Sequence, residues 1–323
     1  MIRLRALLDP FMVALVATAL LASIAPARGG FVPVVSGIAN AAIFVLFFLH
    51  GAKLSREAIV AGAGNVRLHA AVFAATFMVF PLIGLAVSHV PLFIAPVAGG
   101  LLFLTLLPST VQSSIAFTAI ARGNVAAAVC SASFSNLVGI VVTPLLVVVT
   151  MGAGGTVALS WHSVEAIVVQ LLVPFVAGHL LRPWIGAFVA RHKPMTNLVD
   201  RGSILLVVYA AFGAAVREGL WERLSLAAIG LVAVACAVIL AAILTLTWLA
   251  GRRLGLTRED RIVLLFCGSK KSLASGVPMA GVLFAPSQIG MAILPLMLFH
   301  QMQMIACAVI ARHYAADGTD SEV

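Results

Sequence analysis

Long apolar stretches run along nearly the whole chain, and short segments with charged residues, glycine or proline separate them. Each stretch approaches the roughly 20 apolar residues that a helix needs to cross the hydrocarbon core of a bilayer. The chain is therefore predicted to be an all-α polytopic membrane protein with a polar, disordered tail at 314–323. Its ten predicted transmembrane helices lie at residues 10–26, 31–52, 67–88, 91–121, 124–150, 163–182, 202–217, 225–251, 259–284 and 288–311.

The predicted spans repeat along the chain at a nearly constant offset. The first span begins near residue 10 and the sixth near residue 163, while the third begins near 67 and the eighth near 225. These offsets predict two repeats of five helices each, at residues 1–155 and 156–313. Because five is an odd number, the second repeat inserts with the opposite orientation, as in the inverted repeats of many secondary transporters.

The composition agrees with a chain that lies almost wholly in the membrane. Hydrophobic residues make up 62% and charged residues 10% of the chain, whereas soluble proteins carry roughly 25% charged residues. The net charge is +9, but the basic residues are scattered, so no nucleic-acid partner is predicted. The four cysteines lie inside apolar stretches without a CxxC pair, so they predict neither disulfides nor a metal site. No cofactor is predicted.

The positions of the basic residues predict the orientation in the membrane. With the N-terminus in the cytoplasm, fifteen of the twenty lysines and arginines fall in cytoplasmic segments, against three (Arg28, Arg217 and Arg223) outside. By the positive-inside rule, both termini are predicted to be cytoplasmic, in the cell inner membrane. The stretch 10–26 also resembles a signal peptide, but it is long for one and nothing downstream resembles an exported soluble protein. We therefore expect an uncleaved first helix.

Two predicted spans, at corresponding places in the two halves, are interrupted by polar and helix-breaking residues. The fourth span contains LPSTVQSS at 107–114, and the ninth contains GSKKSLASGVP at 268–278. Lipid offers no partners to the freed backbone groups, so such breaks persist only when they are buried in protein or line a wet cavity. A matching pair indicates a transporter's binding site. The alternative for either break is an ordinary kink, with the hydroxyl side chains bonded to their own helix.

Two adjacent lysines, Lys270 and Lys271, lie within the ninth break. A charged lysine at the centre of a membrane helix costs about 2.5–3.5 kcal/mol on insertion scales. Neighbouring residues on a helix point about 100° apart, so one lysine is predicted to face a cavity or an anion and the other to snorkel or pair. Either is a candidate proton carrier. The alternative is that the span begins later and both lysines lie at the membrane interface.

The fifth span adds a polar face directly after the first break. Small polar residues often only hold membrane helices together, and this is our interpretation of most of them, including Gln303 in the tenth span. Three histidines near span ends are interpreted as interfacial: His50, His69 and His300. The predicted substrate or ion site consists of Thr110, Gln112, Ser113, Ser114, Ser131, Ser133, Asn136, Lys270, Lys271, Ser272 and Ser275.

Both broken spans resemble a known family. The segment from Leu107 to Leu146, LPSTVQSSIAFTAIARGNVAAAVCSASFSNLVGIVVTPLL, resembles the bile acid:sodium symporter family. The segment FCGSKKSLASGVPMA, from Phe266 to Ala280, is similar to the ninth-helix motif of a divergent branch. The resemblance covers nearly the whole chain in its span pattern. It implies discontinuous, crossing fourth and ninth helices, one domain of spans 3–5 and 8–10, a second domain of the others, and alternating access between the two.

The resemblance also implies a sodium site, but one that is incomplete in this chain. The family's sodium symporters use a Ser-Asn pair on the fourth span, hydroxyls on the fifth, and a Glu and a Gln on the ninth. By position, these become Ser113 and Ser114, then Ser131 and Ser133, then Phe266 and Lys270, while a third-span Gln falls near Thr76. No confident metal site is predicted. Lys270 or Lys271 is expected to replace sodium as an internal cation, which makes transport sodium-independent or proton-linked.

Together these features predict a secondary active transporter of a small organic anion, with Na⁺ or H⁺ as the candidate coupling ion. Two other classes stay open. One is a non-transporting regulator or receptor on the same scaffold. The other is an intramembrane hydrolase in which Ser269, Ser272 or Ser275 pairs with a lysine. No enzyme activity is predicted, because the chain has no HExxH, no GxSxG and no intramembrane Asp pair.

Overall fold

The computed structural model describes residues 10–53, 64–151, 165, 168–223 and 225–317. These residues form helices and contain no strand. The helices are α1 (Pro10–Ile24), α2 (Phe31–Lys53), α3 (Val66–Ser88), α4 (Ala95–Leu106), α5 (Gln112–Ile120), α6 (Val125–Met151), α7 (Val168–Arg191), α8 (Lys193–Arg217), α9 (Leu220–Arg223), α10 (Leu226–Arg253), α11 (Arg258–Gly268), α12 (Leu273–Leu283) and α13 (Pro286–Asp317).

Seven of the described helices are long and apolar enough to cross a bilayer, namely α2, α3, α6, α7, α8, α10 and α13. The shorter helix α4 and the segment Val13–Ile24 of α1 are also apolar. Large hydrophobic side chains remain exposed along many of these helices, as at Leu145, Leu180 and Trp184. Helices with apolar outer surfaces are suited to contact with lipid. The chain is therefore a multi-pass helical membrane protein.

The largest departure from the predicted boundaries lies between the sixth and seventh spans. The predicted spans end at residue 182 and resume at residue 202, but α7 continues through Pro183 to Arg191 and α8 begins at Lys193. The helices are longer than the predicted spans because an apolar stretch indicates only the part of a helix that lies in lipid, whereas helical hydrogen bonding continues beyond it. At the other end of the chain, α13 continues to Asp317. The first four residues of the predicted disordered tail are thus helical, and residues 318–323 lie outside the described part of the chain.

The helices form two compact units, each assembled from separate stretches of chain. The first unit comprises residues 1–54, 148–226 and 274–294, and the second comprises residues 55–147, 227–273 and 295–323. Helices α3, α4, α5, α10 and α11 thus belong to the second unit, as does most of α6. The predicted boundary between the two five-helix repeats, near residue 155, lies outside the described residues. The repeats remain a prediction.

In the first unit, two glycines let α2 and α7 approach closely. A methyl group on Gly51 would lie 2.0 Å from the carbonyl oxygen of Phe175, and one on Gly178 would lie 2.0 Å from the carbonyl oxygen of Phe48. Small residues at a helix–helix interface allow this contact between backbones in a membrane. An ion pair between Lys53 and Asp200 joins α2 to α8 in the same unit.

In the second unit, a buried carboxylate connects the N-terminal ends of three helices. Asp260, in the first turn of α11, accepts hydrogen bonds from the side-chain amides of Asn65 (2.7 Å) and Asn124 (3.0 Å). Each asparagine also caps the helix that follows it, through the amide N–H of Leu68 on α3 and of Ala127 on α6. Carboxylates and amide oxygens at helix N-termini satisfy free N–H groups and oppose the helix dipole. This network fixes α3, α6 and α11 at one end of the unit.

Candidate functional site

Both interruptions that the sequence predicts are present. Helix α4 ends at Leu106 and α5 begins at Gln112, while α11 ends at Gly268 and α12 begins at Leu273. In the first break, Leu107 has an extended backbone (φ −74°, ψ 156°), which is the conformation that a following proline favours. Residues 107–111 and 269–272 are referred to below as the first and second break.

The two breaks are hydrogen-bonded to each other. The backbone N–H of Ser272 in the second break donates to the carbonyl oxygen of Pro108 in the first, at 2.9 Å. In return, the Ser109 hydroxyl donates to the carbonyl oxygen of Cys267, in the last turn of α11, at 2.6 Å. The last carbonyl groups of a helix lack partners within that helix. Each break therefore satisfies backbone groups that the other leaves free.

Three of the predicted site residues continue this network from the first break into the first turn of α5. Thr110 Oγ1 and Ser114 Oγ share a hydrogen bond of 2.8 Å, and Ser113 Oγ donates to Thr110 Oγ1 at 2.8 Å. Ser114 Oγ also donates to the carbonyl oxygen of Phe266 on α11, at 3.1 Å. Because this bond and that of Ser109 cross between distant segments, the breaks are more than kinks whose hydroxyls bond only to their own helix.

The side-chain nitrogen of Lys271 lies between α3 and the first break. Its Nζ donates to the carbonyl oxygens of Thr76 (2.8 Å) and Leu107 (2.7 Å). It also lies 4.1 Å from the centre of the Phe80 ring, a favourable position for a cation. The side chain is fully buried. Two carbonyl oxygens and an aromatic face thus surround the Lys271 nitrogen.

The sequence of α3 explains why the Thr76 carbonyl is available to a lysine. Residues Ala75–Val79 form a π-helical turn, in which the N–H of Phe80 bonds to the carbonyl oxygen of Ala75. The next residue that could donate to Thr76 is Pro81, which has no N–H group. The Thr76 carbonyl is therefore left without a donor from its own helix. Such π-turns are frequent at functional sites.

The backbone of Lys271 is held by a residue that sequence reasoning assigned only to helix contacts. The side-chain amide of Gln303, on α13, donates to the carbonyl oxygen of Lys271 and accepts from its N–H, both at 2.9 Å. Gln303 Nε2 also lies 2.8 Å from His300 Nδ1. An amide side chain can replace the two backbone partners that a broken helix loses. A glutamine inside an apolar span indicates that its side chain has a polar partner in the protein, but the sequence does not show that this partner is the backbone of Lys271.

Lys270 has different surroundings. Its side chain is also fully buried, yet its Nζ has no hydrogen-bond partner among the described residues. Two aromatic rings lie near it, that of Phe117 at 3.9 Å and that of Phe266 at 5.6 Å from ring centre to Nζ. Neither lysine is exposed, in contrast to the alternative of two interfacial lysines. The two neighbours occupy separate environments, but they lie in the second break and not on a helix, so the predicted 100° helical separation does not apply.

The remaining predicted residues differ in burial and in the contacts that they make. Ser131 on α6 is buried and lies 2.8 Å from Nδ1 of His69 on α3, so this histidine has a structural partner that the interfacial interpretation did not foresee. On the same helix, Ser133 and Asn136 are half-buried. Ser135, which was not among the predicted residues, accepts from the backbone N–H of Ser109 at 3.1 Å.

Three further predicted residues lie at the ends of the half-helices. Gln112 is exposed at the start of α5, and Ser272 is buried within the second break. Ser275 is buried in α12, which belongs mainly to the first unit, so the structure does not assign it to the same cluster.

Among the described residues, no carboxylate is bonded to either lysine or to the two breaks. The described residues include no group of three or more His, Cys, Asp and Glu side chains that could hold a metal ion. Helix α11 carries two acids in its first turn, Glu259 and Asp260. Asp260 precedes Gly268 by eight residues, about 12 Å along a helix, and both its oxygens are bonded to asparagines. Carbonyl oxygens of the kind that bind hard cations do converge at the breaks. In this structure Nζ of Lys271 donates to two such oxygens, those of Thr76 and Leu107.

Comparison with known proteins identifies the family. A family model described as the SBF-like CPA transporter family matches residues 9–316. The chain belongs to this transporter family. An uncharacterised protein of Pseudomonas aeruginosa is 56% identical, over 99% of this chain and 97% of the relative. A protein of Escherichia coli K12 named "Putative symporter YfeH" is 51% identical, over 95% of this chain and 93% of its own length.

More distant relatives connect this SBF-like chain to bile acid cotransporters. The protein named sodium/bile acid cotransporter 7 of Danio rerio is 26% identical, over 84% of this chain and 82% of its own length. The resemblance to the bile acid:sodium symporter family, inferred from the two broken spans, is thereby confirmed.

Proposed function

We propose that this SBF-like family member is a secondary active transporter that moves an organic anion by alternating access, without sodium. Ten spans would form two inverted five-helix repeats, in which the fourth and ninth cross at their breaks. Both termini would lie in the cytoplasm, with the chain in the cell inner membrane. The family and the hydrogen bonds between the two breaks support this proposal.

The observation that carries sodium independence is the position of Lys271 Nζ. It lies 2.8 and 2.7 Å from two backbone carbonyl oxygens, one of them just past the C-terminal end of α4. In many transporters, unwound backbone carbonyls and half-helix C-terminal ends coordinate Na⁺ or H⁺ at the substrate site. A tethered ammonium gives the same charge at that place permanently. A sodium ion would be unnecessary there, and the coupling ion would be a proton.

The polar groups that solvent or a substrate can reach lie beside the buried centre. Gln112, at the N-terminal end of α5, is exposed, and Ser113, Ser133 and Asn136 are half-buried. N–H groups at a helix N-terminus together with hydroxyl and amide donors favour an anion. We infer that the anionic group of the substrate binds near these residues, while Lys271 keeps the adjacent buried region positive.

The test of this function is uptake by the purified, full-length protein in liposomes. Anions that raise its melting temperature in a screen without sodium would be offered as radiolabelled substrates, with sodium or choline as the external cation. We expect uptake at the same rate in both salts. A strong increase with an inward sodium gradient at fixed pH would overturn sodium independence. Binding without any uptake would instead favour a regulator or receptor.

A serine–lysine hydrolase finds no support in the geometry of the described residues. A dyad needs the serine hydroxyl within hydrogen-bond reach of the lysine nitrogen. Lys271 Nζ instead donates to two carbonyl oxygens, and Lys270 Nζ has no partner among the described residues. The Ser269 hydroxyl donates to the carbonyl oxygen of Leu265 on its own helix.

A further inference from the structure

We propose that Lys270 binds the proton that is transported with the substrate, and that Lys271 remains a fixed ammonium that does not exchange its proton. This assignment rests on the proposed transport function and gives the two lysines different roles in it. Each transport cycle would carry one proton on Lys270.

The first support is that no described residue accepts a hydrogen bond from Nζ of Lys270. An ammonium group has three N–H donors, and a buried charge is retained only when it is paired or hydrogen-bonded. The Lys270 side chain is 0% exposed and its Nζ has no partner in the described part of the chain. A neutral amine is the form that this environment accommodates. At Lys271, by contrast, two carbonyl oxygens accept from Nζ.

The second support comes from the groups that face Lys270. The ring of Phe117 on α5 lies 3.9 Å from Nζ, and that of Phe266 on α11 lies 5.6 Å away. The titratable groups nearby are the thiols of Cys267 on α11 and Cys307 on α13. On α5, Phe117 is followed by Thr118, and the helix sequence QSSIAFTAI contains no charged residue. No carboxylate among the described residues is paired with Lys270, so no fixed negative charge would hold a proton on it.

The aromatic rings also separate a proton site from an anion site. The face of an aromatic ring is negative and attracts cations, so it repels an anion. Because Lys270 is 0% exposed and the Phe117 ring lies 3.9 Å from its Nζ, no anionic group reaches this nitrogen in this conformation. The rings instead stabilise the ammonium once a proton arrives, without holding it as tightly as a carboxylate would.

The proton transfer is simple and balanced. The lone pair of the neutral Lys270 amine takes up one H⁺ from the aqueous side on which the anion is loaded, and forms an ammonium. The positive charge offsets the charge of a monovalent anion bound close by. After the conformational change the same N–H bond breaks, and the H⁺ leaves to the opposite side with the anion.

The primary test needs no substrate. The protein contains four lysines, Lys53, Lys193, Lys270 and Lys271, so ¹⁵Nζ-lysine labelling of the full chain gives few signals. Single substitutions to arginine assign them, and the Nζ chemical shift distinguishes amine from ammonium. We expect Lys270 to change between the two forms on titration from acidic to alkaline pH, while Lys271 stays an ammonium. A Lys270 signal that remains ammonium throughout, or a titrating Lys271, would overturn the assignment.

A second experiment measures anion uptake in liposomes and compares the Lys270→Gln variant with a control, Lys193→Gln, at an exposed lysine. With the wild type and the control, acidification of the side of entry should raise the initial rate of anion uptake severalfold. The Lys270→Gln variant should lose this stimulation, and anion movement should no longer acidify the liposome interior. Proton stimulation retained in that variant would contradict the proposal. If the wild type transports nothing, the proposed function fails, while the lysine titration still reports on Lys270 independently.

Discussion

The side-chain nitrogens of Lys270 and Lys271 belong to adjacent residues, yet they have different neighbours. Lys271 Nζ has two carbonyl acceptors, whereas Lys270 Nζ has aromatic neighbours and no acceptor among the described residues. The difference arises because the chain leaves the helix at Gly268, so that successive side chains point to different neighbours. A charged group buried in a membrane protein needs internal partners. The proposed roles of Lys270 and Lys271 therefore differ because of the groups around each nitrogen, since both residues are lysines.

Removal of the Lys271 charge should create a sodium site. In Lys271→Ala, the carbonyl oxygens of Thr76 and Leu107 lose their shared donor and remain buried, at a cost of about 1–3 kcal/mol for each group. We expect the melting temperature to fall in choline chloride and to recover partly in sodium chloride. The wild type should show no difference between these salts.

The matched control for this experiment is Lys270→Ala, since Lys270 Nζ donates to no acceptor among the described residues. This variant should be insensitive to sodium. Equal melting temperatures of Lys271→Ala in both salts would show that the two carbonyl oxygens do not form a cation site.

Gln303 should stabilise the second break through its backbone contacts. The Gln303→Leu substitution leaves the N–H and the carbonyl oxygen of Lys271 without partners, which we expect to lower the free energy of unfolding by about 2–5 kcal/mol. Gln301→Leu, two positions away and half-buried on the same helix, serves as the control and should change it by less. Denaturant unfolding in detergent measures both. Equal effects would mean that the pairing with Lys271 contributes little.

At the scale of single helices, departures from regular hydrogen bonding place the acceptors of the site. The π-turn of α3 and Pro81 free the Thr76 carbonyl, while Pro108 and the end of α4 free that of Leu107. In lipid, a free backbone group must find a partner inside the protein. The irregular parts of α3 and α4 therefore supply the two carbonyl oxygens that accept hydrogen bonds from Lys271 Nζ.

The role of Pro81 can be tested by restoring the missing N–H. In Pro81→Ala, the new N–H can bond within α3 and compete with Lys271 for the Thr76 carbonyl. Because alanine is about 3 kcal/mol more favourable than proline inside a helix, we expect thermal stability to be kept or raised while the uptake rate falls. Pro96→Ala, in the first turn of α4, should leave uptake unchanged, since a proline there removes no helical hydrogen bond. Normal uptake in Pro81→Ala would contradict this role.

At the scale of the whole molecule, the chain alternates between two compact units. The first break and the lysines lie in the second unit, and the chain passes to the first unit at Ala274. Apolar stretches predict which segments enter the membrane, because their length must match the bilayer. They do not predict which helices pack together, because helix association in lipid depends on close contacts such as those of Gly51 and Gly178.

The predicted orientation has its own test. The excess of lysine and arginine in the predicted inside segments indicates a cytoplasmic C-terminus. Alkaline phosphatase fused after Asp317 should therefore be inactive, and green fluorescent protein fused at the same place should be fluorescent. A phosphatase fusion after Glu218, in a segment predicted to lie outside, should be active. An active phosphatase at the C-terminus would contradict an even number of spans with a cytoplasmic N-terminus.

The sequence by itself determined the membrane class, most span positions, the two breaks and the presence of two costly lysines. Each of these follows from local properties: the length of an apolar stretch, the missing N–H of proline, and the charge of a lysine side chain. The family could also be inferred, because its motifs are contiguous in the chain.

Only the tertiary structure decided which acceptors each lysine meets. The carbonyl oxygen of Thr76 is 195 positions from Lys271 in the chain, and the Gln303 amide is 32 positions away. Ser131 and His69 likewise meet from different helices. A hydrogen bond forms only within about 3 Å, and no local pattern specifies that separation between distant segments. The packing of α3, α11 and α13 brings these groups together, and with them the different surroundings of Lys270 and Lys271.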